Sequence, residues 1–410
     1  MVRGGVLEGG RASSPTGCRL KSTAERLGIG PEDIVRSPSG WKPDPLCRPI
    51  RKAVSRPDGS GRIRAMSTTP TPDPIRPRRL RMHPALRDML VETRLAPADF
   101  VAPLFVRRGQ HERRPIASMP GVLQYSPDTA LEELRRLQDL GIRSYILFGV
   151  TDRSEKDATG SHAHDPYNAV CQTLSKAKSA GLRMLAITDL CYCEYTAHGH
   201  CGPLTPPLAA TGEPTVDNDL TLAQLAQQAV VHAQAGADVV APSGMMDGAV
   251  AAIRAGLDAA GRRDTAILAY SVKYASAFYG PFRDAAESPP QFGDRTTYQM
   301  DFRRDSFCAP GGYASEAVRE ARLDVAEGAD MVMVKPGLAY LDILNHVRQN
   351  VEVPVAVYHV SGEYAMIKAA AQLGWIDEKR VALETMHAFK RAGANFIITY
   401  YAAELAGWLR

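Results

Sequence analysis

Several things are missing from this sequence, and each absence narrows the reading. No window of the 410 residues comes near the roughly 18–20 apolar residues that cross a bilayer. The N-terminus lacks the apolar centre of a secretory signal, so neither a membrane nor an export route is expected. Charge of one sign is scarce: 49 Lys and Arg against 45 Asp and Glu leave a formal net charge of +4. Nucleic-acid binding would want a concentrated basic face, and none is evident. The seven cysteines (Cys18, Cys47, Cys171, Cys191, Cys193, Cys201 and Cys308) are odd in number. Without an export signal they point to reduced thiols and a cytoplasmic protein rather than a disulfide framework. The glycine-rich phosphate loop of a doubly wound sheet is also missing, since the first apolar run continues into FVRRGQHERRP.

What is present divides the chain into three. Residues 1–75 are rich in Gly, Pro, Ser and Arg without a sustained apolar period, as in RASSPTGCRL and SRPDGSGRIRA. Such a segment buries too little surface to offset its ordering entropy, so a disordered extension is expected. An organelle transit peptide and a misplaced start, with Met66 as the true initiator, are the other readings. Residues 76–98 open with RPRRLRMHPALRDMLVET, a basic, mildly amphipathic arm that needs a neighbouring surface. From 99 to 410, eight short apolar runs alternate with helical patterns. They are FVAPLFV (100–106), SYILFGV (144–150), RMLAITDL (183–190), ADVVAPS (237–243), AILAYSVK (266–273), MVMVK (331–335), PVAVYHV (354–360) and FIITYY (396–401). Continuous apolar runs suit parallel strands covered on both faces. Eight of them alternating with helices predict an α/β fold, a (β/α)8 TIM barrel with an extended N-terminal arm.

In such a barrel the chemistry gathers at the C-terminal ends of the strands. The proposed strands end in or run into Asp189, Ser243, Lys273, Lys335, Ser361 and the pair Tyr400–Tyr401. A lone lysine at a strand end is usually a solvated cap. Two facing one cavity would lower each other's pKa, and a neutral amine attacks a ketone to form a Schiff base. In DLCYCEYTAHGHCG, Cys191, Cys193 and Cys201 follow Asp189 at once. Three thiolates suit zinc and leave a fourth position open, as at a catalytic metal; His198 and His200 are rival ligands or loop hydrogen bonders. Arg283 and Arg295 are two guanidiniums able to clamp a carboxylate. The residues alone therefore describe a barrel enzyme that condenses small keto acids.

The segments YSVKYASAFYGPFRDAA, MVKPGLAYLDI, VYHVSGEYAM and DLCYCEYTAHGHCG resemble those of the porphobilinogen synthase (δ-aminolevulinic acid dehydratase) family in its zinc-binding version, over residues 76 to 410. The resemblance implies condensation of two 5-aminolevulinate molecules to porphobilinogen with loss of two waters, in tetrapyrrole (heme) biosynthesis. It implies Schiff bases on Lys335 and Lys273 with Asp189 as their polar partner, and zinc on Cys191, Cys193 and Cys201. Ser361 and Tyr400 match the binders of one substrate carboxylate; Arg283, Arg295 and Gln299 match those of the other; Tyr279 and Ser243 line the family's pocket. It further implies a homo-octamer built through the N-terminal arm and an allosteric magnesium site at Glu320. Three departures stand out: the longer segment DFRRDSFCAPGGYASEA, Gly244 in place of a larger residue, and the first 75 residues. The alternative is a class I aldolase-like lyase using one lysine, with the thiols as a structural metal site.

Overall fold

Each apolar run becomes a strand because neighbouring strands take its backbone hydrogen bonds while side chains on both faces are covered. The computed structural model describes residues 75–304 and 315–410. The readings on Cys18, Cys47 and Met66, and on residues 305–314 with Cys308, lie outside the described residues. The strands are β1 (Phe100–Arg107), β2 (Arg113–Pro115), β3 (Leu123–Tyr125), β4 (Ser144–Val150), β5 (Leu185–Leu190), β6 (Val239–Pro242), β7 (Ala266–Lys273), β8 (Met331–Lys335), β9 (Val355–His359) and β10 (Phe396–Thr399). β1 and β4 to β10 pair in parallel in sequence order, and β10 returns to β1 through Phe100↔Ile397 and Val101↔Ile398. The result is a closed (β/α)8 barrel, as the eight runs predict.

The reading missed the hairpin formed by β2 and β3. β1 outruns β10, and its free edge at Phe105 and Val106 pairs with Gln124 and Tyr125 of β3. A three-residue strand reading Arg-Arg-Pro, fully exposed, carries no apolar pattern that would give it away. Four strands are shorter than their runs: β5 begins at Leu185, β6 spans only Val239–Pro242 and leaves Ser243 just beyond it, β9 spans Val355–His359, and β10 stops at Thr399, leaving Tyr400 and Tyr401 in the turn before the helix Ala402–Trp408.

The intervening helices start and stop where side chains and glycines satisfy their ends. Asn168, Asp217, Ser315 and Asp377 accept from Cys171 N, Leu220 N, Val318 N and Arg380 N at four helix starts. Gly236, Gly328 and Gly393 follow three helices with φ of 122°, 108° and 114°. The arm behaves differently: neither its 3-10 turn, Pro77–Arg81, nor its helix, Pro84–Met89, buries a single side chain. No described helix is long and apolar enough to cross a membrane.

Candidate active site

The end of the barrel is built around two amines. Lys273 closes β7 and Lys335 closes β8, and they are partners in register on adjacent parallel strands. Parallel partners present their side chains to the same face, and both amines lie within 6 Å of the same two rings. Lys273 Nζ is 5.6 Å from the Tyr270 ring and 6.0 Å from Tyr279; Lys335 Nζ is 5.1 Å and 5.3 Å from them. Each lysine is only 5% exposed. Lys273 donates to the Ser243 carbonyl at 2.7 Å, and the Ser243 hydroxyl donates to Asp189 Oδ2 at 3.1 Å. Lys335 lies 4.2 Å from the Tyr358 ring and 5.2 Å from Phe282. Burial, then the Lys273 charge, pushes the Lys335 ammonium down to about 7. Burial also pushes the Asp189 carboxyl up to about 6, opposed by both lysines. Its Oδ1 is buried without a partner among the described residues.

Of the ring box around Lys335, only Tyr400 and Tyr279 are singled out from the sequence. Phe105 and Phe148, from β1 and β4, pack with Phe282, Tyr358 and Tyr400, and Tyr358 and Tyr400 share a hydrogen bond between their hydroxyls at 3.1 Å. In sequence such rings look like any core residue. Ser361 caps the far side: it accepts from Phe282 N at 2.9 Å and its hydroxyl is 3.4 Å from the Phe278 carbonyl. Gly362 makes this approach feasible, because a Cβ there would stand 2.5 Å from the Phe278 oxygen.

The segment after β7 passes over this pocket. Tyr279 donates to the Lys335 carbonyl at 3.2 Å. Arg295, 6% exposed, donates to the carbonyls of Gly199 and Ser288 at 2.9 and 3.2 Å. Nε of Arg283, Nε of Arg295 and Nε2 of Gln299 are buried with no partner among the described residues. Three buried donors without a partner among the described residues are unusual in a folded interior.

Cys191, Cys193 and Cys201 are buried, and their sulfurs lie within 4.8 Å of one another. Cys191 Sγ donates to Cys193 Sγ at 3.3 Å. Hydrogen bonds from Cys191 and Cys193 hold the Cys201 thiol well below its usual range, while the bond to Cys193 pushes Cys191 up. Both rival histidines are occupied. His200 donates from Nε2 to the Phe292 carbonyl at 3.1 Å and meets the Tyr298 hydroxyl through Nδ1 at 3.0 Å. His198 donates from Nε2 to the Ala158 carbonyl at 3.1 Å and accepts the His200 amide at Nδ1. Gly244 faces the cluster, and a Cβ there would meet Cys201 at an ordinary 3.8 Å. Glu194, next to Cys193 and 1% exposed, is a buried acid that the sequence reading passed over; burial, then Asp189, pushes it well up.

Glu320 shares a groove with Tyr298 and Gln299. It lies on the outer helix Glu316–Glu327, and the groove, about 380 Å³, also takes in Asn218, Asp247 and Glu316. Burial, then Asp247 and Asp324, pushes it up to about 7.

A closed parallel barrel with its reactive side chains at the C-terminal ends of the strands is the arrangement of a (β/α)8-barrel enzyme. The family profile described as delta-aminolevulinic acid dehydratase matches residues 74–408. A relative of that name from Synechococcus elongatus is 54% identical over 82% of this chain and 98% of its own length. Another from Streptomyces coelicolor is 50% identical over 82% and 97%. The crystal structure of the Toxoplasma gondii enzyme in complex with the reaction product porphobilinogen superposes with a TM-score of 0.75 at 44% identity, covering 82% of this chain and 92% of that one. The chain belongs to the delta-aminolevulinic acid dehydratase family.

Proposed function

We infer that the chain condenses two molecules of 5-aminolevulinate to porphobilinogen, releasing two waters. The observation that carries this reading is the register pairing of Lys273 with Lys335, two buried amines under shared rings. Lys335, with its pKa near 7, supplies a neutral amine that adds to the first ketone and loses water to form an imine. Lys273 does the same for the second. An imine makes each carbonyl carbon more electrophilic and acidifies the carbon beside it; the Ser243 hydroxyl holds Asp189 Oδ2, and Asp189 Oδ1, without a partner among the described residues, would exchange protons with the site directly. Ser361 and Tyr400 hold the first carboxylate; Arg283, Arg295 and Gln299, with their unpartnered nitrogens, hold the second; Tyr279 and Ser243 line the pocket. Holding both substrates together replaces an encounter in solution, a gain worth about 7–11 kcal/mol for well-oriented groups. A one-lysine, aldolase-like lyase is not favoured, because it leaves the second buried amine without a use.

The thiols fit zinc. Sulfurs bound at about 2.3 Å in a tetrahedron stand about 3.8 Å apart, and soft sulfur donors select this metal; the Cys191–Cys193 distance of 3.3 Å needs little adjustment. Zinc on Cys191, Cys193 and Cys201 would supply a Lewis-acid position for the second substrate's amino group. Magnesium at Glu320 is the family's regulatory site carried over. Among the described residues only the thiols converge closely, so magnesium there would keep most of its waters. We read the exposed arm, with Met82 at 70% and Met89 at 71% exposure, as the element that covers another copy in an octamer, and the chain as a cytoplasmic enzyme.

The test is direct. The purified chain is incubated with 5-aminolevulinate and the pyrrole detected with Ehrlich's reagent, with and without a chelator, followed by borohydride trapping of the imine. Colour that falls on chelation and returns with zinc, with label on Lys335, is expected. No colour under any metal condition refutes the reading.

A further inference from the structure

The segment that carries Arg295 and Gln299 is tied down at two ends. One end is fastened to the thiol loop: Gln291 N donates to the His198 carbonyl at 3.0 Å, and Arg295 Nη2 to the Gly199 carbonyl at 2.9 Å. The other end is fastened at Glu287, a non-glycine residue held in the left-handed region with φ of 50°. Such a conformation persists only where the surroundings over-determine it. Three side chains do so here. Arg107 Nη1 lies 3.5 Å from Glu287 Oε1. Gln124 Nε2 donates to the Ala285 carbonyl at 2.9 Å, and Lys156 Nζ donates to the Glu287 carbonyl at 2.5 Å. Arg107, at the tip of β1 with its side chain 4% exposed, also donates to Gln124 Oε1 at 3.0 Å and pairs with Asp152. The hairpin that outruns β10 thus has a use: it carries Gln124 to the roof.

We propose that Arg107 is a positioning residue, latching the roof through Glu287 and, by way of Gln124, through Ala285, and so holding Arg283 and Arg295 where a substrate carboxylate arrives. The chain of contacts is short. Arg283 stands two residues before Ala285, and Ser288, next to Glu287, gives its carbonyl to the Arg295 guanidinium. The proposal rests on reading those two arginines as the substrate clamp. Removing the Arg107 guanidinium strands no buried charge, since the Asp152 and Glu287 side chains are 49% and 41% exposed and Glu112 Oε2 keeps Arg114 at 2.7 Å. The barrel therefore survives the change.

Arg107→Met in the full chain is expected to raise KM for 5-aminolevulinate about tenfold while kcat stays within about threefold, because a misplaced clamp weakens binding and leaves the lysines intact. Arg107→Lys recovers part of the loss. Glu287→Gln gives a smaller rise, and the double variant is no worse than Arg107→Met alone, because both break one latch. Amide hydrogen exchange over residues 284–292 speeds up in Arg107→Met and Glu287→Gln, whereas β4 and β5 keep their protection. Unchanged exchange in the roof of a folded Arg107→Met protein overturns the proposal, and so does a fall in kcat at constant KM. If the wild-type chain does not turn over 5-aminolevulinate, the reading of the site fails, and the exchange experiment still decides whether the latch exists.

Discussion

Lys273 and Lys335 occupy equivalent places on neighbouring strands, yet their surroundings differ. Lys273 has a carbonyl to donate to and a serine and carboxylate beyond it. Nζ of Lys335 makes no hydrogen bond among the described residues and is walled by Tyr270, Tyr279, Phe282 and Tyr358. Ring faces attract an ammonium, but they replace little of its lost hydration. A pKa drawn from 10.5 to about 7 makes the ammonium form about 5 kcal/mol less favourable than in water. One side chain type, on one rung of one sheet, is thus given two surroundings: an amine held by a carbonyl and an amine enclosed by rings.

The largest effect expected from breaking this contrast is on turnover. Lys335→Met abolishes borohydride labelling at that position and lowers activity at least about a thousandfold. Lys273→Met lowers pyrrole formation about a hundredfold or more, yet leaves an imine to be trapped at Lys335. Equal residual trapping in the two variants would show that the amines are interchangeable. A smaller effect follows from pH. Lys335 is a free amine above its folded value of about 7 and takes up a proton below it, so single-turnover trapping slows about tenfold from pH 8 to pH 6. The unfolded chain keeps that proton to a higher pH, so this group favours folding increasingly from pH 7 towards 10.5. A trapping rate flat across that range would mean that Lys335 is not the depressed amine. The smallest effect belongs to the wall. Tyr358→Phe removes the hydroxyl bonded to Tyr400 and keeps the ring, and should raise KM about threefold without changing the pH profile.

The barrel was legible because its strands are buried on both faces and so stand out as unbroken apolar runs; all eight are found. Lys273, Lys335, Asp189 and Ser243 were legible for a related reason, since a polar residue that ends such a run must face the mouth of the barrel. The hairpin was not, because Arg113–Pro115 is short, exposed and without alternation. The ring box was hidden in plain view: Tyr270 and Tyr358 lie inside strand runs and differ from core aromatics only in what stands beside them. Arg107, Gln124 and Glu287 carry no shared motif, and only the folded chain brings together residues so far apart in sequence.

The register of β7 on β8 has one more consequence. Neighbouring strands are about 4.8 Å apart whatever their sequence, so the backbones that carry Lys273 and Lys335 stand one strand spacing apart. The sheet then acts as a ruler. On the proposed reading it would set the spacing from which two substrates held by these lysines approach each other. Moving either lysine to the next strand would double the distance, and no rearrangement of the loops would restore it.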